Sequence, residues 1–104
     1  MGAMEAANPP IELCCLLRAR PGAEQEMTAY EDKVLALVPE HGGEVVSRVI
    51  GDGADGHPHE VQVHRFPDQA AIDAYMADPR RLALAGERDR TVAETILFPV
   101  SIAK

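Results

Sequence analysis

HEVQVHRFPDQAAIDAYMADP, residues His59 to Pro79, is the stretch that decides how the chain folds. Its first eight residues alternate: Val61 and Val63 fall on one side of an extended backbone, and Glu60, Gln62, His64 and Phe66 on the other, the two-residue period of a strand from roughly His59 to Phe66. Pro67 cannot continue the ladder, and Asp68 is a fit helix N-cap. Ala71, Ile72, Tyr75 and Met76 then recur at helical spacing as one apolar face. Asp78-Pro79 restarts the helix, an N-cap followed by proline at the first helical position, and a short helix continues from Arg80 to about Arg88.

Outward from there the pattern repeats. Toward the C-terminus, Thr91 to Ile102 is β-branched and apolar and reads as a last strand, with Pro99 marking an edge or a bulge. Toward the N-terminus, Gly51 to Pro58 is a loop by composition, and Glu44 to Ile50 is a strand. Before it, Ala23 to His41 places Met27, Tyr30, Val34, Leu37 and Val38 on one helical face, with acidic residues early where the helix dipole favours them. Gly42-Gly43 closes this helix, and Pro39 predicts an irregular last turn. Ile11 to Arg20 is a first strand that stops at the Pro21-Gly22 turn. Residues 1–10 read as a disordered tail or expression remnant, with a second Met4 behind Gly2 and Ala3, and 11–104 as one domain. The order β-α-β-β-α-β predicts an α+β, ferredoxin-like fold, a four-stranded antiparallel sheet with its helices on one face.

Composition bounds the function. Ten Lys and Arg against seventeen Asp and Glu leave a net charge of −7 in 104 residues, the wrong sign for nucleic acid or an anionic membrane. Aromatics are 4% with no Trp, too few to build stacking platforms for single strands. No apolar run has bilayer length, and the first residues lack a signal peptide's basic start, so a cytoplasmic protein is expected. Cys14 and Cys15 are adjacent and point to opposite faces of a strand, which excludes a disulfide between them.

Two helices cover one face of a sheet, so the composition of the other face matters. In the first strand Ile11, Leu13, Cys15, Leu17 and Ala19 suit a face under helices. The face expected to stay open mixes Leu16, Ile50 and Phe66 with Cys14, Arg18, Arg48, Gln62 and His64. Such a mixture suits a cavity between two packed sheets, hence a homodimer with a small-molecule ligand inside.

The β-α-β-β-α-β order, the Pro21-Gly22 turn, His64-Arg65-Phe66-Pro67-Asp68 with Ala71, Tyr75 and Asp78-Pro79, and Arg88-Asp89-Arg90-Thr91 before the last strand resemble the dimeric α/β-barrel superfamily. The likeness is nearest to small stand-alone members beside the antibiotic biosynthesis monooxygenases. It spans roughly Ile11 to Ile102 and implies a dimeric α/β barrel. The same fold hosts cofactor-free oxygenases, haem-degrading enzymes, isomerases and cyclases, so it implies function only weakly. The Asn and Trp associated with the monooxygenases have no counterpart, since the chain lacks Trp and its one Asn is Asn8.

His64 is the leading candidate for acid–base chemistry, because a mid-strand imidazole in a pocket titrates near neutral pH. A purely structural bond to Gln62 is its alternative. Arg18 and Arg48 have the fork to bind a planar anion, with Gln62 and Cys14 beside them. Both also stand where Glu12, Glu60 or Glu94 can pair with them across strands. Tyr30 and Tyr75 read as core. His41, His57 and His59 lack a third metal-ligand signal, so no metal and no cofactor are expected. Two function classes stay open: an enzyme acting by acid–base or cofactor-free oxidative chemistry on a small, partly apolar and anionic or enolisable molecule, or a non-catalytic dimeric binding domain.

Overall fold

The computed structural model describes residues 9–103. The expected tail therefore lies almost wholly outside the described residues. Strands β1 (Ile11–Ala19), β2 (Glu44–Ile50), β3 (Glu60–Phe66) and β4 (Val92–Val100) form one antiparallel sheet in the order β2-β3-β1-β4. Helices α1 (Glu24–Leu35), α2 (Gln69–Met76), α3 (Pro79–Leu82) and α4 (Ala85–Thr91) complete the ferredoxin-like α+β fold. No helix among the described residues is long and apolar enough to cross a membrane.

The punctuation does what its chemistry dictates. Asp68 caps α2 by accepting from the Ala71 amide at 2.8 Å, and Asp78 caps α3 by accepting from the Arg80 amide at 2.8 Å. The helix read as Ala23 to His41 ends earlier, at Leu35. Leu37 and Val38 donate to carbonyls three residues back, and a short 3-10 turn, Pro39–His41, follows. Pro39 has no N–H to donate and restricts the residue before it, so the α-helical ladder cannot run through. Gly42 leaves the turn at φ 77°, and Gly43 must stay bare because a Cβ there would lie 2.7 Å from the Phe66 ring.

The register corrects the expected sorting of faces. Residues directly opposite in an antiparallel pair share a face. Leu13 stands opposite His64, Cys15 opposite Gln62, and Leu17 opposite Glu60. Glu60, Gln62, His64 and Phe66 therefore lie under the helices with the first strand's core residues, and all four are buried. Arg48 stands opposite Gln62 and joins them, helped by a register shift between Val45 and Ser47. The uncovered face instead carries two cross-strand rows, Val49, Val61, Leu16 and Ile96, then Ser47, Val63, Cys14 and Phe98. Charged residues flank these rows: Glu44, Arg65 and Glu12 at one end, Arg18 and Glu94 at the other. The five residues expected to share one cavity are thus divided, Arg48, Gln62 and His64 on the helix side, Cys14 and Arg18 on the open side.

Candidate functional site

Polar groups under a helix layer need partners, because an unmet buried donor or acceptor costs about 1–3 kcal/mol. Here three elements supply them. Glu60, fully buried at the start of the inner strand β3, accepts from Arg48 Nε at 2.6 Å and from Gln62 Nε2 at 2.6 Å. Arg48 directs the rest of its fork to Asp32 of α1, at 2.6 Å, and to the Thr28 carbonyl. The amide nitrogen of Gln62 also donates to Glu31 of α1 at 2.8 Å. With its nitrogen committed to two carboxyl groups, Gln62 can only accept through Oε1, and its partner there is His64 Nε2 at 2.8 Å.

That chain fixes the histidine's tautomer. The proton sits on Nε2, pointing at Gln62, and the lone pair sits on Nδ1. Nδ1 has no hydrogen-bond partner among the described residues. Nor is it sealed off, since the only buried side-chain nitrogen or oxygen without a partner among them is Arg81 Nε. The ring lines a cavity of about 60 Å³ between sheet and helices, space for several waters or one small ligand. Leu13, Leu35, Phe66, Ile72 and Leu97 give it apolar walls, and Glu31, Arg81, Arg88 and Thr95 add polar groups. Burial pushes the His64 imidazole down from its ordinary value, so it is neutral at pH 7.

Glu31 is held the opposite way. Burial pushes its carboxyl up, against the opposing pull of the Gln62 hydrogen bond. A carboxyl whose pKa is raised on folding binds its proton more tightly in the native state, so its contribution to stability falls as pH rises through that raised value. Glu31→Gln keeps an acceptor for Gln62 and removes the ionisation. Its melting temperature is expected to gain on the parent's as pH rises above the ordinary carboxylate range and to level off once the folded-state carboxyl is ionised. The opposing His64 contribution is common to both proteins and cancels in that comparison. Parallel melting curves across this range would show that Glu31 does not titrate with folding.

The remaining sequence candidates have other company. Arg18 donates to the His57 carbonyl at 2.8 Å and stands 4.0 Å from Glu94 on the open face. Cys14 lies on that face between Val63 and Phe98, away from the cavity. Cys15 does reach the cavity wall, with a thiol that burial pushes up to about 12 and so keeps protonated. His59 Nδ1 accepts from the Ala19 amide at 3.0 Å, where the β1–β4 register shifts. His41 Nε2 lies 2.8 Å from the capping carboxylate Asp78, which Arg80 and His41 together hold well below the usual carboxylate range.

Sequence reading overlooked Glu31 and Arg81. Glu31 had a signal, since it lies four residues after Met27 and three before Val34, inside the apolar stripe of α1, where an acid without a partner has no reason to be. Arg81 had none. Its place follows from the Asp78 cap, which sets the rotation of α3 and brings the guanidinium over the Tyr75 ring, 5.2 Å from its centroid.

No family model and no curated protein matches the chain. Among solved structures it is similar to a protein of unknown function from Rhodopseudomonas palustris, with TM-score 0.75 and 24% identity over 98% of this chain and 91% of that one. A dimeric protein of unknown function with a ferredoxin-like fold from Bacteroides fragilis superposes with TM-score 0.68 and 12% identity, over 89% of this chain and 96% of that one. A candidate antibiotic biosynthesis monooxygenase from Bacteroides thetaiotaomicron gives TM-score 0.71 and 18% identity, over 92% and 91%. At these identities the likeness establishes the ferredoxin-like fold and leaves the chemistry to the residues.

Proposed function

We propose that the chain is a homodimeric enzyme that moves a proton on a small, partly apolar, enolisable molecule held in the cavity between sheet and helices. The observation that carries this reading is the fixed tautomer of His64, a neutral imidazole with a free Nδ1 whose ring lines that cavity. Nδ1 takes a proton from a carbon beside a carbonyl, and the electron pair moves to the carbonyl oxygen to give an enolate. The imidazolium so formed keeps its Nε2–H on Gln62, which is polarised by Glu31 and Glu60 behind it. Return of the proton to the same or a neighbouring atom gives exchange or isomerisation. Gln62 acts as a positioning residue. Deuterium entering acetone from D2O, followed by proton NMR at pH 7.5, tests the reading with an enolisable molecule small enough for the cavity. Exchange faster than in buffer alone is expected, and a rate equal to the buffer's would overturn it.

The homodimer rests on the uncovered sheet face. Leu16, Val61, Val63, Val49, Ile96 and Phe98 make one apolar band there, flanked by charge, on a face no helix covers. Two such bands packed together bury each other. The dimeric B. fragilis protein of the same fold supports this. Light scattering is expected to give twice the chain's mass at micromolar concentration. Val61→Asp, which places a charge in the middle of the band, is expected to return the monomer. A parent protein that scatters as a monomer would remove the dimer.

A further inference from the structure

Arg81 is an unusual arginine in a chain that carries a net charge of −7. Arg48 and Arg65 each hold two carboxylates within salt-bridge distance, and Arg80 holds Asp78 and Glu40. Arg81 holds none among the described residues. Its guanidinium stacks over Tyr75, one terminal nitrogen reaches the Met76 carbonyl at 3.4 Å, and its Nε–H is buried with nothing to accept it. A buried donor on a cationic group is costly to leave unmet. Arg88, the other arginine on the cavity, also lacks a carboxylate among the described residues and reaches only Thr95 Oγ1 at 3.3 Å. Two guanidinium groups with no carboxylate at salt-bridge distance among the described residues thus meet at a small cavity whose other walls are mainly hydrocarbon, with Glu31, Gln62, His64 and Thr95 as its further polar groups.

We infer that the cavity takes a small apolar carboxylate, its anionic end on Arg81 with Arg88 beside it and its hydrocarbon part against Leu13, Leu35 and Ile72. This inference deepens the proposed function, and rests on it, by naming the substrate class, a keto or enolisable acid with few heavy atoms. A guanidinium presents paired N–H donors to a planar carboxylate, and partial burial between sheet and helices strengthens such charge-assisted bonds. Stacking on Tyr75 holds the fork in place before the ligand arrives, which lowers the ordering cost of binding. The acid would be presented with its carbonyl end free for His64.

Propionate and propionamide separate the charge from the shape and match the small volume of the cavity. Titrated into the homogeneous protein at pH 7.5 and followed by amide-proton NMR, propionate is expected to bind at least tenfold more tightly than propionamide. Arg81→Gln is expected to abolish that preference while leaving propionamide unchanged. Arg81→Lys, which keeps the charge and the stem over the ring but not the fork, reads the same question should the Gln variant not fold. It is expected to retain part of the preference. Equal binding of the two probes, no binding of propionate, or an undiminished preference in either folded variant would overturn the inference. Failure of the proton-transfer reading looks different. In that case propionate still binds through Arg81, while acetone, which has no charge to offer, shows no exchange. Loss of the inference alone leaves acetone exchange intact and propionate no better than propionamide.

Discussion

Arg48→Ala is expected to destabilise the fold by about 3–5 kcal/mol, the usual consequence of removing one partner of a buried ion pair. Glu60 is fully buried, and Arg48 is the only cation within salt-bridge distance of it among the described residues. Without the guanidinium the carboxylate keeps one neutral donor, Gln62, and no charge to balance it. For a domain of about this size such a loss lowers the melting temperature by roughly 15 °C or more. The attraction between the two groups is not the main quantity being measured. Most of the effect is the cost of a charge stranded under the helices, so removing both charges together should be far milder. The double variant Arg48→Met, Glu60→Gln is expected to recover most of the lost stability, since the amide oxygen introduced at position 60 can still accept from Gln62. An Arg48→Ala protein that melts within a few degrees of the parent would mean that the Arg48–Glu60 pair does not hold the fold together. This structural engagement also changes what Arg48 can offer a ligand. Its donors are committed to Glu60, Asp32 and the Thr28 carbonyl, so it supports the site from behind.

The same cluster explains which features were legible in the sequence. Element order, the Asp68 and Asp78 caps and the helix-facing side of β1 are local, and they follow from period and punctuation. The alternation of β3 was equally plain, and it correctly grouped Glu60, Gln62, His64 and Phe66. Which side that group takes is not a local property. Polarity argued for the open side, and the argument fails because the partners that make burial tolerable come from elsewhere, Arg48 from β2 and Glu31 from α1. Phe66 was the contrary signal within the strand. It packs against Tyr75 and the residues of the turn after α1, and a buried phenylalanine two residues from His64 carries the imidazole to the same side. Arg18 and Cys14 stayed on the uncovered face because β1 alternates without interruption through them. The cavity was therefore expected on the wrong side of the sheet, although three of its neighbours had been grouped correctly.

His64→Gln is expected to reduce acetone exchange by about 10²–10⁴-fold, the range that a positioned general base supplies, with the protein still folded and dimeric. Glutamine can still donate to Gln62, so the hydrogen-bond chain to Glu31 and Glu60 is not left with an orphaned acceptor. What it lacks is a basic lone pair facing the ligand. His64→Ala makes the complementary test, because it leaves a hole beside Phe66 and strands Gln62 Oε1 at a cost of about 1–3 kcal/mol. Imidazole added to that variant can enter the hole, and it is expected to restore part of the rate. The pH dependence carries the same signature. Exchange should fall as pH drops through the His64 pKa, and because burial holds that value below the ordinary one the rate should be level at pH 7 and decline only in more acidic solution. The stability linked to His64 has the same sign: a neutral imidazole favoured by the fold contributes fully above the unfolded value of about 6.5 and is lost as pH falls through the folded one. A structural histidine bonded to Gln62 shares that stability trend, so the trend alone cannot separate the two roles. Rescue by imidazole does, because an added base restores proton transfer and has no means to restore a covalent place in the strand. An unrescued variant, or a His64→Gln protein that exchanges acetone as fast as the parent, would leave His64 a member of the core network and nothing more.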